Sequence, residues 1–262
     1  MVDIHSHILP GIDDGAEDLD ESLALCRIAV EDGIRIIVAT PHVMEFRYPN
    51  RRETIEPPLA LLQAEVAGKG MGLTIVAGAE VHMAADLVSR LKDGDLLTYG
   101  DRGRHMLLEF PFQQIVSGTE DAVYRLRLAG VTPVIAHPER IAFFMDDLER
   151  LHALIRLGAL AEVTAGSLTG LFGDASERAA WRMLERKLVH VVGSDAHDAN
   201  HRRPALREAA EAIALRAGEE TARRLCKEVP LAIIEGRDAE VPEPLPAPAG
   251  WTGFFKKIFS RS

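Results

Sequence analysis

Nine side chains able to bind a cation recur at or just beyond the ends of short apolar runs. His5 and His7 close the first run, and His42 closes the second in Ala39-Thr40-Pro41-His42. Glu80 closes the third in Gly78-Ala79-Glu80-Val81-His82, Glu109 the fourth in Leu107-Leu108-Glu109-Phe110-Pro111, and His137 the fifth in Ala136-His137-Pro138-Glu139-Arg140. Asp195 and His197 close the seventh in Gly193-Ser194-Asp195-Ala196-His197, and Asp14 follows the first. Only the sixth run offers no clear ligand. Mixed imidazole and carboxylate donors suit Zn, Mn or Fe, whereas Mg and Ca prefer oxygen-only shells. Nine donors are too many for one ion and suit two or three. A carboxylate between two cations can bridge them, and a water held by both becomes hydroxide near neutral pH. Asp14, Glu80, Glu109 and Asp195 against three divalent ions leave a positive site even after one hydroxide is added, and such a pocket attracts a phosphate dianion.

A lone strand-end histidine is as often a satisfied core residue as a ligand, and His190 reads that way. His105, His152 and His201 read as surface groups or as outer neighbours of the site. The set is another matter. Parallel barrel strands all end on one face, so donors at their ends converge, and burying so many unpaired imidazoles and carboxylates is costly unless cations compensate.

The elements that would position them alternate. Strands are expected at Val2–Ile4, Ile34–Thr40, Leu73–Ala79, Met106–Phe110, Thr132–Ala136, Leu160–Val163 and Val189–Val192, most of them continuously apolar as buried parallel strands are. Helical spacing fills Glu17–Asp32, Arg52–Lys69, Thr119–Ala129, Asp146–Leu157 and Ser176–Lys187, and Gly33, Gly70, Gly130 and Gly158 stand at C-cap positions. This pattern predicts an α/β fold, a distorted (β/α)7 TIM-like barrel, with a doubly wound sheet as the alternative. Pro204–Cys226 is helical, Val241–Pro248 is a Pro-rich spacer, and an aromatic-basic tail follows. The chain of 262 residues, 47% hydrophobic and with a net charge of −10, fits one domain and disfavours nucleic-acid binding. Cys26 and Cys226 form no disulfide framework or thiolate site. With no signal peptide and no apolar run of the roughly 18 residues that span a bilayer, a cytoplasmic protein is expected.

The segments Asp3–Gly15, Ala39–His42, Gly78–His82, Leu108–Phe110, Ala136–Arg140 and Gly193–His197 resemble, in order, the polymerase and histidinol phosphatase (PHP) superfamily. More narrowly, the chain looks like the bacterial manganese-dependent protein-tyrosine phosphatases of capsule and exopolysaccharide systems. The resemblance covers the chain to about residue 235 and implies three metal sites. His5, His7, Glu80 and Asp195 hold the first ion; Glu80, Glu109 and His137 the second; Asp14, His42 and His197 the third. It also makes Arg140 a phosphate-binding residue, a role that suits a guanidinium able to grip two oxygens at once. Arg47, in Phe46-Arg47-Tyr48-Pro49-Asn50, is a candidate second substrate contact. Mn is the expected cation, with Fe or Zn as alternatives.

The expected reaction is in-line attack of hydroxide on a phosphomonoester, with Arg140 stabilising the equatorial oxygens and Asp14, His42 or a water assisting the leaving group. No cysteine is needed, and neither Cys26 nor Cys226 opens a Cys-x5-Arg loop. The implied partner is a phosphotyrosine protein, such as the tail of a bacterial tyrosine kinase. A histidinol phosphatase or other small-molecule phosphomonoesterase is the alternative enzyme. A metal-dependent phosphotyrosine-binding module is the alternative outside enzymes. Residues 1–235 are read as the catalytic barrel, 236–250 as the spacer and 251–262 as the tail. Trp251, Phe254, Phe255, Ile258 and Phe259, with Lys256, Lys257 and Arg261, suit peripheral contact with an anionic inner membrane face, docking on the barrel, or an oligomer contact.

Overall fold

The computed structural model describes residues 1–112 and 118–246, so the aromatic-basic tail lies outside the described residues. The strands are β1 (Val2–Asp3), β2 (Ile36–Ala39), β3 (His42–Val43), β4 (Thr74–Ala77), β5 (Glu80–His82), β6 (His105–Glu109), β7 (Thr132–Ile135), β8 (Leu160–Thr164) and β9 (Val191–Gly193). All pairings between them are parallel, in the orders β1-β2-β4 and β3-β5-β6-β7-β8-β9.

Seven of these nine segments overlap the runs expected from sequence, while β3 and β5 lie beyond the expected ends of the second and third, each continuing its strand after a break. The second breaks at Thr40-Pro41, where proline has no N–H for the ladder. The third breaks at Gly78-Ala79, where a Cβ on Gly78 would lie 2.7 Å from Val38 Cγ1. The breaks leave His42 and Glu80 at the heads of the short outer strands β3 and β5. The ring closes at the same end. Asp195 N–H donates to His5 O at 2.8 Å, and His7 N–H donates to Ala196 O at 2.8 Å.

Alternation along the strands divides the core. Val2, Ile4, Val38, Leu107, Val134, Leu160 and Val191 fill the barrel interior, with Tyr99 and the helix Val229–Ile234 packed beneath them. Ile37, Met106, Leu108, Ile135, Ala161, Val163 and Val192 face the surrounding helices. The helices start and stop where local chemistry dictates. Asp18 caps Leu19–Asp32 by accepting from Glu21 N–H at 2.9 Å, and Gly33, at φ 94°, ends it in a left-handed turn. The expected helix Asp146–Leu157 is found as Leu148–Arg156, starting later because Asp147 has extended backbone and caps it, and a separate short helix, Ala142–Asp146, precedes it. The helical stretch after Pro204 is likewise divided, with Gly218 separating Arg207–Ala217 from Glu219–Arg223. Spacer residues pack on the barrel as far as Leu245, which exchanges backbone and side-chain hydrogen bonds with Arg186 at 2.9 Å.

His105 departs from its reading as a surface or outer-site group. It opens β6 at the end of the barrel away from Glu109 and is 3% exposed. Burial depresses its pKa to about 4. His190 is a core residue, accepting from Ala161 N–H at 3.0 Å, and burial depresses it to about 4 as well.

Candidate metal centre

The strand ends bring all nine predicted donors into one contiguous cluster. The period of two aims His5 and His7 to the same side, while the intervening Ser6 hydroxyl donates to Val38 O at 2.7 Å. Asp195 and His197 flank Ala196, which bridges to Ser6, so this pair faces the first. His137 and Asp195 have φ values of 34° and 53°. Left-handed backbone at non-glycine residues costs on the order of 1–3 kcal/mol and collects at functional sites.

Five distances test whether the first four donors fit a cation. His5 Nε2 lies 3.3 Å from His7 Nε2 and 3.4 Å from both Glu80 Oε2 and Asp195 Oδ1. His7 Nε2 lies 3.3 Å from Glu80 Oε2 and 3.5 Å from Asp195 Oδ1. An ion with ligand bonds of about 2.0–2.2 Å separates neighbouring donors by roughly 3.3–3.6 Å; His5, His7 and Glu80 form a group able to hold one, and Asp195 abuts both imidazoles beside it. The other ring nitrogens are already engaged, His5 Nδ1 with Glu162 Oε2 at 3.3 Å and His7 Nδ1 with Asp13 Oδ2 at 2.8 Å. Each imidazole that donates outward presents a bare Nε2 inward, as a ligand does.

The remaining donors extend outward from Glu80. His137 Nε2 lies 3.0 Å from Glu80 Oε1 and 3.9 Å from Glu109 Oε1. His42 stands between two groups, with Nδ1 3.0 Å from Glu80 Oε2 and Nε2 3.4 Å from Asp14 Oδ1. His197 Nε2 lies 3.5 Å from the same Asp14 oxygen, and His7, Asp14, His42 and His197 form a group able to hold an ion. His42, Glu80 and Glu109 form another. His42 Nδ1 and Glu80 Oε2 are buried without hydrogen-bond partners, as is His137 Nδ1. This donor set fits more than one divalent cation.

Acids and imidazoles in the cluster hold one another charged where no cation does so. Burial pushes the Glu80 and Asp195 carboxyls up, but His5 and its neighbours outweigh it and hold both well below the usual carboxylate range. Burial pushes His5 and His7 down, but Glu80 and Asp195 around His5, and Asp13 beside His7, hold both well above the ordinary imidazole value.

Arg140 Nη1 donates to Asp195 Oδ2 at 2.5 Å, and its guanidinium lies 4.2 Å from the Phe172 ring centroid and 5.4 Å from that of Phe112. Phe112 itself stacks on His137 at 5.2 Å. Arg47 sits on the rim, 65% exposed, 3.9 Å from Asp14 Oδ2 and over the Tyr48 ring. Tyr48 stacks on His42 at 5.5 Å. Cavities of about 340 and 610 Å³ flank the cluster, one past Phe172, Ser194 and Arg202, the other past Arg47, Asn50 and His82.

Several neighbours escaped the sequence reading. Arg202 donates to the same Asp195 oxygen as Arg140 at 2.5 Å. Its only sequence signal is a place on the loop that carries Asp195 and His197. Asp13 binds His7 and also accepts from the backbone of Gly15 and His42. Glu162 lies on the strand that offered no ligand, and a carboxylate inside the apolar run Leu-Ala-Glu-Val-Thr was the available sign. His82 Nδ1 lies 3.3 Å from Glu109 Oε2.

Taken together, the curled parallel sheet and its strand-end cluster define a TIM-barrel-like protein with a multi-cation donor site at the barrel mouth. The family model described as "Capsular polysaccharide synthesis, CpsB/CapC" matches residues 1–235, and the chain belongs to that family. It is 37% identical over 202 residues to the tyrosine-protein phosphatase YwqE of Bacillus subtilis (strain 168), spanning 77% of this chain and 79% of that protein. To the putative tyrosine-protein phosphatase CapC of Staphylococcus aureus it is 35% identical over the same shares. Its fold matches, with a TM-score of 0.90 and 32% identity, a chain from the crystal structures of YwqE from Bacillus subtilis and CpsB from Streptococcus pneumoniae, described as unique metal-dependent tyrosine phosphatases. That match covers 95% of this chain and all of the other.

Proposed function

We propose that the chain is a metal-dependent phosphomonoesterase that removes phosphate from protein phosphotyrosine. The observation that carries this reading is the convergence of the His5, His7 and Glu80 donor atoms, with Asp195 against both imidazoles and itself gripped by Arg140. The cations are two or three, Mn foremost, with Fe or Zn as alternatives. Bound there, they supply Lewis-acid charge stabilisation and acidify water.

The chain's own residues do the rest. Arg140 offers its planar fork to phosphate oxygens, and Phe112 and Phe172 hold that plane in place. The rings of Phe112, Phe172 and Tyr48 at the mouth suit a flat aryl ester. Asp14 and His42, with side chains 35% and 12% exposed, are the donors nearest solvent and are placed to assist departure of the phenolate. Arg47 adds a rim contact to the substrate.

The phosphotyrosine proteins named by the relatives' activity, and the capsule role in the family description, favour a bacterial tyrosine-kinase tail as substrate. We read residues 1–235 as the catalytic barrel, 236–250 as the spacer and 251–262 as the tail. Among the described residues no helix is long and apolar enough to cross a membrane.

Stripping with EDTA is expected to abolish aryl phosphate hydrolysis, and Mn to restore it. His5→Ala and Asp195→Ala are each expected to remove activity. Undiminished turnover by the stripped protein refutes the metal mechanism.

A further inference from the structure

Glu162 sits in the middle of β8, fully buried, with its neighbours Ala161 and Val163 in the outer core and Leu160 in the barrel interior. Alternation therefore turns Glu162 inward, into the layer just below the cluster. The interior positions Val38, Leu107, Val134 and Val191 beneath it are apolar. Its carboxylate is used in full. Oε2 faces His5 Nδ1 at 3.3 Å and accepts from the His137 backbone N–H at 3.1 Å. Oε1 accepts from the Gly193 backbone N–H at 3.1 Å. One carboxylate thus holds the ring of the first donor, the backbone of the fifth-strand donor and the backbone two residues before Asp195.

Two further observations show that this contact is built in. His137, whose N–H Glu162 takes, is in the left-handed region at φ 34°, the turn that brings its ring to 3.0 Å from Glu80 Oε1. Gly193 leaves room for the approach, since a Cβ there would lie 2.7 Å from both Glu162 Oε1 and His5 Cβ. Both Glu162 oxygens are engaged by His5 Nδ1 and by backbone N–H groups, on the side of the His5 ring away from the Nε2 that faces Glu80. Its action runs through other residues.

We propose that Glu162 is the positioning residue of the metal centre. It fixes the His5 ring with Nδ1–H outward and Nε2 bare, and it holds the His137 and Gly193 backbones so that donors from three strands meet. The sixth strand, which brings no ligand, brings the group that aligns the others. This rests on the metal-binding reading of the cluster, and the test separates the two.

The full chain, its E162Q and E162A variants, and V163A as a control on the outward face of the same strand are stripped with EDTA. Each is titrated with Mn by calorimetry, and each stripped protein is melted. Outer partners of metal ligands typically contribute about 10- to 100-fold to affinity. E162Q, whose amide cannot accept from both backbone donors and the imidazole, is expected to bind at least one Mn about 10- to 100-fold more weakly while still melting cooperatively without metal. V163A is expected to melt lower with unchanged Mn affinity. Hydrogen exchange of the stripped proteins is expected to quicken at the His137 and Gly193 amides in E162A. If the unaltered chain binds Mn and both Glu162 variants match it, the proposal falls alone. If E162Q no longer melts cooperatively, Glu162 is a folding residue and the proposal also falls. If the unaltered chain takes no cation, the metal reading falls and takes the proposal with it.

Discussion

Lowering the pH is expected to weaken the barrel through His190, independently of its cations. The side chain is 1% exposed, and its Nδ1 accepts from Ala161 N–H at 3.0 Å, so protonation at that nitrogen would break a buried bond. Burial holds its pKa at about 4, against 6.5 for the ordinary imidazole of the unfolded chain. A depressed value in the folded state means that the unfolded chain binds more protons between the two. The stability contribution is complete above about pH 6.5 and is lost as pH falls toward about 4. The shift corresponds to on the order of 3 kcal/mol in full, of which about 2 kcal/mol is lost at about pH 5. For a domain of this size, 1 kcal/mol moves the melting temperature by about 2–4 °C, so His190 alone accounts for roughly 4–8 °C. His190→Asn keeps an acceptor near Ala161 N–H but cannot take the proton. Thermal melts in EDTA at about pH 7.5 and about pH 5 compare the two proteins with ligand protonation common to both. The fall in melting temperature is expected to be roughly 4–8 °C smaller in the variant. Equal falls would refute the assignment of His190 as a neutral core residue.

Arg140→Ala is expected to raise the KM for an aryl phosphate about 10- to 100-fold, the worth of one charged hydrogen bond, with the metal content measured by elemental analysis unchanged. Loss of metal instead would mean that Arg140 serves mainly to orient Asp195. Gly15→Ala places a Cβ 1.9 Å from His7 O, so the backbone carrying His7 must move. It is expected to lower the melting temperature and weaken Mn binding together, and a variant with native Mn affinity would show that this crossing yields elsewhere.

The fold was legible because its signals are local. Continuous Val and Ile runs marked the strands, and Gly33, Gly70, Gly130 and Gly158 stand at left-handed helix ends as their positions implied. The donors were legible because each ends a run. What the sequence hid depends on distance along the chain. Pro41 and Gly78 could be seen, but not that they split two strands, because the break is a property of the register with neighbours. Glu162 and Asp13 look like single carboxylates until the fold brings them against His5 and His7, 157 and 6 residues away. His105 was misread because a polar residue opening a strand gives no sign of which end of the barrel it occupies. Arg202 gave only proximity in sequence, and its grip on Asp195 comes from the return of a loop.

Asp195 divides its two oxygens between different neighbours. Oδ1 faces His5 and His7, and Oδ2 is shared by Arg140 and Arg202. An oxyanion that recruits either guanidinium competes with a carboxylate that a metal also wants. Occupancy at the two places is therefore linked through one side chain, and by reciprocity whatever factor cation loading imposes on phosphate affinity, phosphate imposes on cation affinity. Product retention and metal retention then become two readings of the same equilibrium.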